Sequence, residues 1–279
     1  MRFEKWQALG NDYVILAAED LRVELTPGLV TRICRPHTGI GSDGILVLAR
    51  CDDPEIVAEL RIFNPDGSEA ELSGNGAREA VLYLRDREWT DQDRFTVMTK
   101  AGPIHPTITG PESATIGIGT ASLTSADFPS GGTNGTGTLT AGGRSFAFQH
   151  VSIGNPQCVI EAGHEVEDLD LAAIGPDVER NALFPNRTNA SFISIDGSTV
   201  RARIFERGVG ETLSSGTGAS GAAVAAFLKG ATSPITVVLD GGELEVEISD
   251  RLDVKLTGTA RRVFTGELSS DLVGALDGD

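Results

Sequence analysis

The sequence is poor in residues that define several classes of protein. Its three cysteines, Cys34, Cys51 and Cys158, are far apart and include no CxxC or Cys/His grouping, which argues against a disulfide framework and a structural zinc site. Cations are scarce. With 23 Lys plus Arg against 40 Asp plus Glu, the net charge is −17, which argues against binding to a nucleic-acid backbone or an anionic membrane surface. No apolar run approaches the roughly 20 residues of a membrane helix, and charge interrupts the N-terminal MRFEKWQALGND. Neither a membrane span nor a signal peptide is expected, and the expected location is the cytoplasm.

Glycine is abundant. The 34 Gly and 12 Pro keep most elements short, while a 40% apolar fraction is enough to bury a core. At about 150 residues per domain, the length suggests two domains. Alternating, β-branched runs predict strands near 95–98, 114–118, 145–148, 191–195, 235–239, 244–248 and 253–256. Helices are predicted at 27–34, 77–87 and 219–229, the last Ala-rich and buried almost all round. The Ser/Thr/Gly-rich stretch 122–143 reads as hairpins and loop that open a second half, because strands resume immediately after it.

An internal repeat organises the chain. Arg61-Ile62-Phe63-Asn64 returns as Arg203-Ile204-Phe205-Glu206, 142 residues later. Ser73-Gly74-Asn75-Gly76 returns as Ser215-Gly216-Thr217-Gly218 at the same offset, each opening a predicted helix. Upstream, Gly10-Asn11-Asp12-Tyr13-Val14-Ile15 resembles Gly154-Asn155-Pro156-Gln157-Cys158-Val159-Ile160 at an offset of 144. A glycine-flanked turn at a helix start presents unpaired N–H groups and the positive end of a dipole, which together cradle an anion. Taken singly, each SGxG is a serine N-cap with glycines that permit the turn. Taken as a repeated pair, beside Asn64-Pro65-Asp66-Gly67 and Glu206-Arg207-Gly208, the two turns read as a site. Equivalent groups on opposite sides of one carbon are what stereoinversion needs, one removing a proton and the other delivering one.

These residues carry a family resemblance. The chain resembles diaminopimelate epimerase along essentially its whole length, in Leu9-Gly10-Asn11-Asp12-Tyr13, in the segment from His37 through Gly44, in Phe63 through Ala70, in Gly74 through Arg78, in Thr99-Lys100-Ala101-Gly102, in Gly154-Asn155-Pro156, at Asn189 and from Glu206 through Gly218. The resemblance implies an α+β fold of two pseudo-twofold-related domains, each a β-barrel-like sheet around a central helix, with the site in the cleft between them. The expected boundaries are 1–118 plus about 264–279 for one half and 119–263 for the other. It also implies an isomerase that interconverts LL- and meso-diaminopimelate for lysine and peptidoglycan precursors, using neither PLP nor metal, on a small amino acid substrate, with a homodimer as one option for assembly. Asn11, Asn64, Asn155 and Asn189, with Glu206 and Arg207, would hold the substrate's polar groups. Gly74, Asn75, Gly216 and Thr217 would supply N–H donors to the α-carboxylate and to a planar carbanion-like transition state. Glu206 and Arg207 also read as a solvated pair at a strand end.

The sequence departs from the family where the chemistry is done. The two family positions that carry the acid and base thiols hold Ser73 and Ser215. A thiol ionises near 8.5, lower at a helix N-terminus, whereas a serine hydroxyl is a far weaker acid. Gln157 replaces the usual His of GNPH, and Ser191 replaces the usual acid after the second Asn. A deliberate double Cys-to-Ser replacement competes with natural divergence, and Gln157 and Ser191 favour divergence. Two rival readings stand beside the epimerase: another amino acid isomerase on the same fold, and a catalytically silent amino-acid-binding homologue. Several features read as structural. Cys158 is expected to be a small buried hydrophobe, although a replacement thiol role stays open. His37 is expected to order a turn packed under the site, and 161–170 to be an acidic, solvated helix start. Asp277-Gly278-Asp279 is expected to fray.

Overall fold

The computed structural model describes residues 1–274, so the expectation for 277–279 lies outside it. The chain divides into two compact units, residues 1–116 with 258–279, and residues 117–257. No helix among the described residues is long and apolar enough to cross a membrane.

The first unit contains β1 (Arg2–Ala8), β2 (Asn11–Ala17), α1 (Pro27–Cys34), β3 (Ile45–Ala49), β4 (Ile56–Phe63), β5 (Glu69–Ala70), α2 (Gly74–Asp86), β6 (Thr96–Thr99), β7 (Gly102–Ile104), β8 (Thr107–Gly110) and β9 (Ser113–Thr120), whose end runs on into the second unit. The second holds β10 (Thr136–Ala141), β11 (Arg144–Ser152), β12 (Pro156–Glu161), α3 (Leu171–Glu179), β13 (Asn189–Asp196), β14 (Thr199–Glu206), β15 (Gly210–Thr212), α4 (Gly216–Leu228), β16 (Ile235–Leu239), β17 (Gly242–Ile248) and β18 (Asp253–Thr259). The chain then returns to the first unit as β19 (Arg261–Glu267) and α5 (Ser270–Gly274).

The repeat seen in the sequence is a repeat of topology. One sheet has the strand order β19-β1-β2-β3-β4-β6-β7, with β5 beside β4; the other repeats it as β10-β11-β12-β13-β14-β16-β17, with β15 beside β14, and continues through β18, β9 and β8. The directions match as well. β2 and β3 are parallel, as are β12 and β13; β4 and β6 are parallel, as are β14 and β16. Each parallel step needs a crossover, and helices supply it: α1 or α3 for the first pair, α2 or α4 for the second.

Burial explains the elements. In β2 the run Tyr13 to Ala17 is buried on both faces, which an unbroken apolar strand within a covered sheet requires. One face packs Ile15, Leu46, Leu60 and Ile62 against Ala77, Ala80, Val81 and Leu84 of α2. The other packs Val14, Leu16, Ile45 and Val47 against Leu29, Val30 and Ile33 of α1. In the second unit α4 is buried from Gly218 to Ala226, and its alanines let β11 to β14, β16 and β17 close around it. The opposite face carries α3 over a cluster of Phe128, Phe146, Phe148, Phe184, Phe192 and Phe205, which also encloses Cys158.

Two expectations need comment. The segment 161–170 does lead into a helix, as a 3-10 turn at Gly163–Glu167 followed by Asp170, which caps α3 through Ala173 N–H. His37 does not order its turn from beneath. Its side chain is exposed, and backbone bonds hold the turn: Gly39 N–H to Arg35 O, Ile40 N–H to Ile33 O and Ser42 N–H to Cys34 O.

Candidate active site

The two serines occupy the same local geometry. Ser73 (φ −133°, ψ 123°) precedes α2 and its Oγ accepts from Gly76 N–H at 3.1 Å; Ser215 (φ −139°, ψ 117°) precedes α4 and its Oγ accepts from Gly218 N–H at 3.2 Å. Each is thus an N-cap, extended in backbone and bonded to the third helical residue. Gly218 is needed for close approach, because a Cβ there would stand 2.7 Å from Ile204 and 3.1 Å from the Ser215 Cβ. With the third N–H occupied, the N–H groups of Gly74 and Asn75, and of Gly216 and Thr217, remain at the positive helix ends for an external acceptor.

Around each cap an asparagine from the preceding strand start bonds the second helical residue. In the first unit Asn75 Nδ2 donates to Asn11 Oδ1 at 3.1 Å; in the second Asn155 Nδ2 donates to Thr217 Oγ1 at 3.1 Å. The fifth helical residue repeats the pattern, since Arg78 donates to Gly74 O at 3.2 Å and Ser220 Oγ donates to Gly216 O at 2.8 Å. The sequence repeat therefore extends to individual hydrogen bonds.

In the first unit these bonds form a chain. Asn11 Nδ2 donates to Asp43 Oδ2 at 2.7 Å, Asp43 also accepts from Asp12 N–H, and Lys5 pairs with Asp12 at 3.2 Å. Burial pushes the Asp12 carboxyl up from its ordinary value, with Lys5 opposing. At the far end Arg78 donates to Asn75 Oδ1 at 2.6 Å. Arg78 is fully buried, and burial lowers its guanidinium to about 10, leaving it cationic at neutral pH. Its neighbour Glu79 is also fully buried and lies by the Tyr13 backbone, and burial pushes its carboxyl well above the ordinary value against the pull of Arg78. Tyr13, on β2, donates its hydroxyl to Ser73 Oγ at 3.2 Å. Asn64 sits in the NPDGS turn after β4 and donates to Ser68 Oγ at 3.0 Å.

In the second unit Asn155 Oδ1 accepts from Gln157 Nε2 at 2.6 Å, and Asn189 Oδ1 accepts from Arg207 N–H at 2.7 Å. Glu206 is half-buried at the end of β14, while Arg207 is exposed and rests its guanidinium on Asn186 O at 2.9 Å. Glu179, buried on α3, accepts from Gly208 N–H at 2.9 Å and so fixes the turn that presents Arg207. Gln157 Oε1, Ser191 Oγ, Thr212 Oγ1 and Ser214 Oγ are buried without a hydrogen-bond partner among the described residues. Ser191, Ile204 and Thr212 lie in one cross-strand row, and Ile204 faces Gly218, so this polar row looks at the start of α4.

Sequence reasoning singled out the caps and the asparagines but missed four supports: Tyr13, Asp43, Arg78 and Glu179. The first three lay inside the resembling segments. Glu179, at the C-terminal end of α3, carries no motif and lies outside every segment the sequence singled out. Cys158 and Cys34 offer no substitute base, because both are buried and burial raises both. His150 is also buried, between Phe128 and Phe184, and burial lowers it.

Solved structures share this fold. A probable proline racemase from Agrobacterium radiobacter matches with a TM-score of 0.69 at 13% identity, covering 96% of this chain and 92% of that one. A hydroxyproline epimerase from Agrobacterium vitis matches at 0.64 and 14%, covering 99% and 97%. The architecture is thus one that racemases and epimerases use. The family model for diaminopimelate epimerase matches residues 3–124 and 149–263. A diaminopimelate epimerase from Aromatoleum aromaticum is 39% identical over 276 residues, covering 97% of this chain and 99% of its own length, and diaminopimelate epimerase 2 of a Nostoc species is 38% identical over 278. The chain belongs to the diaminopimelate epimerase family.

Proposed function

We propose that this chain is a cytoplasmic amino acid epimerase that interconverts LL- and meso-diaminopimelate by moving a proton between the two faces of one Cα, with neither PLP nor metal. The observation that carries the reading is the duplicated cap, in which two extended serines in matching hydrogen-bond frames each stand beside two helix-start N–H donors. In this reading the helix-start donors of Gly74, Asn75, Gly216 and Thr217 bind the α-carboxylate and stabilise charge as Cα becomes planar. Ser73 and Ser215 address opposite faces of that carbon. Asn64, Asn189, Glu206 and Arg207 hold the distal ammonium and carboxylate, with Arg207 as the bidentate carboxylate partner. Asn11 and Asn155 act mainly by steadying the second helical residue, since their side chains already bond Asn75 and Thr217.

Two serines make poor proton carriers, so the native chain should turn over far more slowly than its Ser73→Cys/Ser215→Cys variant. The test follows epimer ratio and Cα deuterium incorporation by NMR near pH 8 for the four Ser/Cys combinations. Recovery in the double-Cys chain, with less in either single variant, supports the reading. Failure of all four to exchange the Cα proton, with calorimetric binding retained, would instead favour the amino-acid-binding homologue. Arg207→Ala should weaken diaminopimelate binding by about 2 kcal/mol or more, the loss expected for a charge-assisted pair. A monocarboxylic amino acid that binds where no diaminopimelate isomer does would favour the other isomerase.

A further inference from the structure

The two caps differ in one respect. Both lone pairs of Ser73 Oγ are engaged, one by Gly76 N–H at 3.1 Å and one by the Tyr13 hydroxyl at 3.2 Å. The oxygen's own proton is therefore its one remaining hydrogen-bonding function, and it is directed away from both donors. Ser215 accepts only from Gly218 N–H among the described residues. The position that answers Tyr13 at the 144-residue offset is Gln157, whose Nε2 donates to Asn155 rather than to the serine.

We infer that Tyr13 and Ser73 form a two-link proton relay, in which the phenol serves as the effective acid and base for the first unit while Ser73 alone touches the substrate. The inference rests on the epimerase reading above. When Ser73 gives its proton to the Cα carbanion, a C–H bond forms with the carbanion's electron pair. The O–H bond of Ser73 breaks, and the Tyr13 proton moves to Ser73 Oγ along the existing hydrogen bond, leaving a phenolate. In reverse, the phenolate takes the Ser73 proton as Ser73 Oγ takes the Cα proton, and the C–H electron pair stays on the substrate. No alkoxide is left at either end. The gain is large, because a phenol is a far stronger acid than an aliphatic hydroxyl. The relay thus gives back on one face much of what the missing thiol took away.

The surroundings hold the ring for this task. Tyr13 is buried, and its ring edge occupies the place where a Cβ on Gly44 would stand, 2.6 Å from Cε1. Ser42 Oγ donates to Gly44 O at 2.6 Å and accepts from Gly44 N–H at 3.2 Å, which fixes that glycine against the ring. Tyr13 is therefore a positioning and proton-supplying residue that acts through Ser73.

The test is a double-mutant cycle between Tyr13→Phe and Ser73→Cys on the full-length chain, read as kcat, KM and Cα deuterium exchange with each diaminopimelate epimer. Tyr13→Phe keeps the ring and its packing and removes only the hydroxyl. In the Ser73 background it should lower exchange from one epimer about 100-fold with KM within about 2-fold, as loss of a general acid does. In the Ser73→Cys background its effect should shrink below about 3-fold, because a thiol titrates for itself. Equal losses in both backgrounds would mean that Tyr13 merely steadies the cap, and overturn the relay. So would no loss in the Ser73 background. A native chain without measurable exchange, beside an active Ser73→Cys/Ser215→Cys chain, would overturn the relay and leave the epimerase reading intact. Inactivity of both would remove the two together.

Discussion

Arg78 and Glu79 are adjacent, opposite in charge and both fully buried on α2, yet they do different work. Arg78 has partners in Asn75 and Gly74, so its burial is offset by charge-assisted bonds and it stays cationic. Glu79 has little more than the Tyr13 backbone and the field of Arg78, and burial pushes its carboxyl well above the ordinary value. A carboxyl whose folded-state value lies above its unfolded value keeps its proton on folding. Its contribution is fully present below about 4.5 and is lost as pH rises toward the folded value, at up to about 1.4 kcal/mol per pH unit. Glu79→Gln should therefore change the melting temperature little at pH 5 and raise it at pH 8, as differential scanning fluorimetry at the two pH values would record. A variant that melts lower at pH 8 would show that Glu79 is charged in the fold. Gly44→Ala, which drives a methyl into the Tyr13 ring and to 2.4 Å from Phe63 O, should cost about 2 kcal/mol or more in urea unfolding.

The helix starts carry a conflict between stability and chemistry. Serine is among the strongest N-caps, and cysteine is not among the residues that serve this role well. Ser73→Cys and Ser215→Cys should each lose about 1 kcal/mol of stability as they gain turnover, a trade measurable by urea denaturation of the same four proteins used for kinetics. Both helices, their serine caps and the order of the two halves were legible in the sequence, because glycine-flanked serines before an apolar run are a local signal. The parallel pairings of β2 with β3 and of β4 with β6 were not, since periodicity reports which face is buried and not which strand lies alongside. The same limit hid the supports of the site. Asp43 reaches Asn11 across 32 residues and Glu179 reaches Gly208 across 29, and nothing in a single sequence marks such partners. Tyr13 was visible only as a member of the repeated GN segment and of the family resemblance, with nothing to tie its hydroxyl to Ser73.

At the scale of the whole molecule, the net charge of −17 opposes compaction, and ion pairs such as Arg201 with Glu167 and Asp240 offset only part of it. Raising ionic strength from about 0.01 M to about 0.15 M, which shortens the Debye length from about 30 Å to about 8 Å, should raise the melting temperature measurably. An unchanged or lower value would show that attractive pairs dominate. The two ends of the chain meet in one sheet, with β19 pairing along β1 from Arg2↔Glu267 to Gln7↔Arg261. A chain ending at Ala260 would leave the apolar edge of β1 without a neighbour and should form higher-order species on size exclusion, where the full chain does not. On the ribosome the usual order is reversed. The unit built on residues 1–116 must wait for residue 267 to emerge, by which time every strand of the central unit has already been translated, so a strand made early finds its last partner late.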